Sequence, residues 1–99
     1  MEIKIQSIHF DATEKLQAFI EKKTAKLQKS WEDVSTLEFQ LKVEKPQTAD
    51  NKTVALTANV PGQKIYVEKT ADTFEEAVDL AIDAMKVQVQ RFKEKIRKY

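Results

Sequence analysis

The chain has 99 residues, 41% of them hydrophobic and 33% charged, with a formal net charge of +1. That length fits one domain with a modest core, and so small a net charge excludes a polyanion partner held by bulk charge alone. The absence of cysteine excludes disulfides, a thiolate nucleophile and a cysteine metal site and fits a reducing cytosol, and no apolar run reaches the ~18 residues that a membrane span needs.

Residues 2–8 alternate Ile3 and Ile5 against Glu2, Lys4 and Gln6, which predicts a first strand with one buried face. The alternation starts at the first residue, unlike a signal peptide. Ile8 and Phe10 break the phase, so a bulge or strand end is expected near Gln6-Ser7. Thr13 is a candidate N-cap, and Leu16, Phe19, Ile20 and Leu27 then place one apolar face on a helix of roughly 14–29. Lys15, Lys22, Lys26 and Lys29 fall on one flank of that face. At ~100° per residue Lys23 lands inside the apolar sector itself, where a lysine either snorkels out along its stem or is kept for a partner.

Trp31 is expected to close this helix against the core. Residues 35–45 alternate without fault, with Leu37, Phe39, Leu41 and Val43 on one face and Glu38, Gln40, Lys42 and Glu44 on the other. The polar stretch Pro46 to Asn51 reads as a loop. A third strand over 53–60 turns Val54, Leu56, Ala58 and Val60 inward, and Pro61-Gly62 forms a tight turn with the only glycine. A fourth strand over 64–70 has Ile65 and Val67 inward and Tyr66 outward. Asp72 or Thr73 then caps a final helix from Phe74 to Lys98.

In that helix Phe74, Val78, Ile82, Met85, Val89, Phe92 and Ile96 are spaced four, four, three, four, three and four, which is one apolar stripe. Its charge changes sign along the axis. Asp72, Glu75, Glu76, Asp79 and Asp83 stand at the start; Lys86, Arg91, Lys93, Lys95, Arg97 and Lys98 stand toward the end, opposed by Glu94. A helix dipole favours that order without requiring so many cations. The element order is β-α-β-β-β-α. The fold class is therefore α+β: a four-stranded, mainly antiparallel sheet with two helices on one face and the other face wet.

Catalytic signatures are few. His9, the one histidine, has no partners at ligand spacing, so a surface role is expected and no metal site is assigned. A single glycine leaves no phosphate-cradling loop, and no nucleophile motif occurs. The acids opening the last helix suit its dipole better than a cation site. Neither an enzyme nor a cofactor is expected. The lysines say more. If the two helices lie side by side, the first helix's five lysines and the cations ending the last helix share one side of the domain. That is either a surface for a phosphate backbone or two solvated helix faces. An aromatic platform for stacked bases is not expected, since Tyr66 is the one clear outward ring.

Over nearly its full length the chain resembles the family of ribosome hibernation-promoting factors and ribosome-associated inhibitor A, whose members also carry a sigma-factor modulation description. The resemblance lies in the opening I-x-I-x-S/G; in Thr13, Glu14 and Leu16; in Phe19-Ile20; in Lys23, Ala25, Lys26 and Leu27; and in Leu41-Lys-Val-Glu-Lys45. In the last helix it lies in Ala77-Val-Asp79, Ile82-Asp83, Gln88 and Lys93-x-Lys95. It implies a cytoplasmic, non-enzymatic translation inhibitor of the stationary or starved cell. Such a protein binds the small ribosomal subunit, its RNA and adjacent ribosomal proteins, where messenger and transfer RNAs would pass. It also implies a short form without the C-terminal pairing domain, a single ribosome-binding domain over 1–99, monomeric off the ribosome.

The resemblance implies that Lys23, Lys26, Lys93, Lys95 and Arg91, at matching positions, contact ribosomal RNA, and Lys22, Lys29, Lys86 and Arg97 are expected to join them by placement. Relatives often carry cations where this chain has Ala84 and Val87, and arginine where it has Gln17. Two other classes stay open. A double-stranded-RNA-binding module shares the layout but would open its last helix with bases. A protein-interaction modulator of a transcription factor would bind independently of RNA and salt.

Overall fold

The computed structural model describes residues 1–8, 12–43 and 51–96, apart from the side chain of Ile96. The elements are β1 (Glu2–Ile8), α1 (Glu14–Ala25), β2 (Thr36–Val43), β3 (Lys52–Val60), β4 (Gln63–Ala71) and α2 (Phe74–Ile96). The sheet order is β1-β2-β3-β4. β1 runs parallel to β2, as a crossover through a helix demands, and β2, β3 and β4 form an antiparallel meander.

Alternation in the strands fixes which face is dry. Leu37, Phe39, Leu41, Val54, Leu56, Ala58 and Ile65 point to one side and are buried against Leu16, Ile20, Val78, Ile82, Met85 and Val89 of the helices. Ala77 and Ala81 are also fully buried, so the first half of α2 lies close to the sheet where no longer side chain would fit. Pro61 and Gly62 link β3 to β4, with Val60 paired to Gln63. Gly62 sits at φ +83°, the conformation that the third residue of a type II turn requires.

Three expectations change. No bulge interrupts β1: pairing continues from Glu2↔Thr36 to Ile8↔Lys42. Ser7 takes an inward position and Ile8 an outward one, which an edge strand tolerates because its residues are only partly covered. Next, α1 stops at Ala25 rather than near residue 29. The Thr24 hydroxyl donates to the carbonyls of Ile20 (2.9 Å) and Glu21 (3.1 Å), competing with regular helix bonding. The Leu27 N–H then bonds the Thr24 carbonyl three residues back, and that tighter turn brings Leu27 and Trp31 into the core. Finally, Thr24 rather than Lys23 occupies the buried sector of α1. His9, Phe10, the loop from Pro46 to Ala49 and Asp50, the last residues of the expected second strand, Arg97 and Lys98 lie outside the described residues.

Candidate nucleic-acid interface

The two helices are set by their caps. The Thr13 hydroxyl accepts from the Leu16 N–H at 3.1 Å, and the Thr73 hydroxyl accepts from the Glu76 N–H at 3.1 Å, so of Asp72 and Thr73 the threonine makes this N-terminal bond. Two contacts then give their relative direction. Lys23, in the last turn of α1, places its ammonium 3.0 Å from the Asp79 carboxylate near the start of α2. Beyond the end of α1, the Ser30 carbonyl accepts from the Lys93 ammonium near the end of α2. Both contacts advance together along the chain, so the helices run parallel, with the end of α1 beside the acidic start of α2 and the turn after α1 beside the basic end of α2.

The nine candidate positions fall into three groups. Lys22, Lys26 and Lys29 are exposed; Lys26 keeps a helical backbone as the C-cap of α1, while Lys29 sits in the following turn. Arg91 and Lys95 are exposed on the last turns of α2, and none of these five makes an ion pair among the described residues. Lys23, Lys86 and Lys93 are engaged within the domain. Lys23 holds Asp79 and also lies 5.4 Å from the centre of the Phe19 ring, so it is half-exposed at the helix seam rather than buried in the core. Lys86 lies 3.9 Å from Asp83, one turn back, and Lys93 ties α2 to the turn after α1. Arg97 is outside the described residues.

Reasoning from the sequence missed the Asp79 and Ser30 contacts. Only the possible pairing of opposite charges across two helices hinted at the first, and nothing in the pattern marked the second.

The open face of the sheet is a different surface. It carries Lys4, Gln6, Glu38, Gln40, Thr57 and Tyr66 in mixed polar rows, with both charge signs interspersed. Tyr66, 58% exposed, donates from its hydroxyl to Glu68 at 3.1 Å. Partial desolvation, then that hydrogen bond and the charge of Glu68, push its phenol above the usual tyrosine range. Neither a basic strip nor a ring platform forms there among the described residues. No described group of histidines and acids could hold a metal ion, and no described helix is long and apolar enough to cross a membrane.

The family described as "Sigma 54 modulation protein / S30EA ribosomal protein" matches residues 3–97. The chain belongs to that family. Among similar family proteins, the ribosome hibernation promoting factor of Salmonella typhimurium is 28% identical over 99 residues, spanning all of both chains. That of Pseudomonas putida is 24% identical over 95 residues, covering 96% of this chain and 89% of its own. The fold matches a ribosomal subunit interface protein from Coxiella burnetii, with a TM-score of 0.84, 22% identity and coverage of 94% and 98%. It also matches the N-terminal domain of Thermus thermophilus Protein Y, with a TM-score of 0.76, 24% identity and coverage of 93% and 99%.

Proposed function

We propose that this family member is a ribosome hibernation factor. It binds the small ribosomal subunit in the cytoplasm of starved or stationary-phase cells and stops translation by occupying the path of messenger and transfer RNA. Residues 1–99 act as one binding domain and as a single copy on the subunit, without catalysis and without a cofactor. Lys22, Lys26, Lys29, Arg91 and Lys95 supply the main contacts to RNA phosphates, with Arg97 as a further contact and Lys23, Lys86 and Lys93 at the margin. Adjacent ribosomal proteins complete the site.

The observation that supports this reading most is the parallel setting of α1 and α2. It sets Lys29, next to the Ser30 carbonyl that Lys93 reaches, toward Arg91 and Lys95, three cations with no ion pair among the described residues in a protein whose net charge is only +1. The first turn of α2 argues against the duplex-RNA module, because Glu75 and Glu76 stand there instead of bases.

Co-sedimentation of the purified protein with small subunits, large subunits and free duplex RNA across a salt series tests the proposal. The expected result is retention by small subunits that falls steeply as salt rises, since each phosphate contact releases counterions. Equal retention by duplex RNA, or subunit binding indifferent to salt, would overturn it.

A further inference from the structure

The buried stripe of α2 runs through Phe74, Val78, Ile82, Met85, Val89 and Phe92. Two positions beyond each of these stand Glu76, Leu80, Ala84, Val87, Arg91 and Glu94. Two residues turn an α-helix by about 200°, so this second stripe faces away from the sheet. Leu80 is 41% exposed and Val87 51%, with the partly exposed Ala84 between them. A single exposed apolar side chain is common on a protein surface. Here two stand in line across two turns, with an acid before them and a base after them.

Glu76 and Arg91 lie about 22 Å apart on the rising helix and cannot meet within one chain. They can meet between chains. When a second α2 is laid antiparallel, with a two-fold axis between positions 83 and 84, Leu80 meets the partner's Val87 and Val87 meets the partner's Leu80. In the same register Glu76 faces the partner's Arg91, and Arg91 faces the partner's Glu76. A parallel arrangement would oppose like charges instead. The charge gradient of α2 is thus self-complementary in one orientation, which is the condition for a two-fold interface.

We propose that the free protein self-associates as an antiparallel, two-fold pair through the Glu76–Leu80–Ala84–Val87–Arg91 face of α2. This replaces the monomer expected from the sequence. The apolar patch is small, so association is weak and concentration-dependent. Its charged ends make it weaken with salt. Asp83 of each copy approaches the two-fold axis and opposes the pair; Lys86, 3.9 Å away on the same helix, offsets part of that charge. Arg91 belongs to both surfaces, so pairing and RNA contact exclude one another. That last consequence, and only that one, rests on the function proposed above.

Sedimentation velocity on the purified full chain, without ribosomes, decides the matter. Wild type should shift from monomer toward dimer as concentration rises at low salt and shift back at high salt. Arg91→Glu should raise the dimer dissociation constant by about tenfold. Reversing both ends, in Glu76→Arg with Arg91→Glu, should restore association to near the wild-type level. Val87→Arg should leave a monomer, and Asp83→Asn should tighten the pair. Circular dichroism of each variant verifies the fold. A wild type that stays monomeric at low salt, or a dimer untouched by Arg91→Glu and Val87→Arg, would overturn the proposal. No ribosome is present in this experiment, so its failure leaves the ribosome-binding reading standing.

Discussion

The two halves of α2 differ in what their charges meet. In the first half, Glu75 and Glu76 stand at the positive end of the helix dipole, and Asp79 is neutralised by Lys23 across the seam. The alanines Ala77 and Ala81 press this half close against the sheet. In the second half, Met85, Val89 and Phe92 fill the core with larger side chains, while Arg91 and Lys95 reach solvent without an ion pair among the described residues. The first half thus has Asp79 held within the fold by Lys23, while the second ends in cations that no ion pair engages among the described residues. A count of cations hides this difference. Lys23 and Lys93 have the same sign as Lys26 and Arg91, yet they hold the two helices together.

The largest effect should come from reversing charge that no ion pair engages among the described residues. Lys26→Glu with Arg91→Glu is expected to weaken small-subunit binding by about a hundredfold and to flatten its log–log salt dependence by about two units, with little change in melting temperature. Co-sedimentation across salt, beside thermal unfolding, measures both quantities. A fold that melts early, or binding that survives, breaks the distinction between the two halves of α2.

Next comes the first half of α2. Removing its N-cap hydroxyl in Thr73→Ala should cost about 1 kcal/mol of stability and leave subunit affinity unchanged. Denaturant unfolding reads the first part and co-sedimentation the second.

Smaller still is the seam. Lys23→Ala should cost well under 1 kcal/mol, because its ion pair with Asp79 is 40% and 48% exposed at its two ends. It should also reduce binding less than Lys26→Ala does. Lys23→Ala combined with Lys26→Ala should weaken binding while the protein stays folded. If Lys23→Ala alone proves the more damaging change, the ammonium leaves Asp79 for RNA, and the division between engaged and unengaged cations fails.

The smallest effect lies on the open face. The Tyr66 phenol titrates above its ordinary range in the folded protein. A raised pKa favours the protonated form in the fold, so its contribution is complete below the unfolded tyrosine value near 10 and is lost as pH rises through the folded value. Glu68→Gln removes the charge that opposes the phenolate and should move the phenolate absorbance transition to lower pH, leaving subunit binding unchanged. An unmoved transition would remove Glu68 as a cause.

Much of the architecture was legible because burial writes itself into spacing. The alternation through Leu37, Phe39 and Leu41 and the stripe from Phe74 to Phe92 each identified an element and its dry face. The errors came where a local bond competes with periodicity. Thr24 ends α1 early through its own hydroxyl, which a helical wheel does not register. Ser7 and Ile8 invert the expected pattern at an edge strand, where burial is too slight to enforce it. The basic end was legible as composition, since the cations cluster along the chain. Which of them were engaged was not, because the partners of Lys23 and Lys93 lie on other elements, 56 and 63 positions away.

The surface formed by the turn after α1 and the end of α2 is expected to face ribosomal RNA, and the open sheet face is not. The chain has no cysteine, so a single reactive thiol can be placed without background. Gln28→Cys lies among the lysines that follow α1, and Gln40→Cys lies on the open face; both positions are exposed. Each variant carries a tethered iron chelate that cleaves nearby RNA when bound to small subunits. Strong, localised cleavage of the small-subunit RNA is expected from position 28 and much weaker cleavage from position 40. Stronger cleavage from position 40, or none from position 28 in a complex shown to have formed, would contradict it.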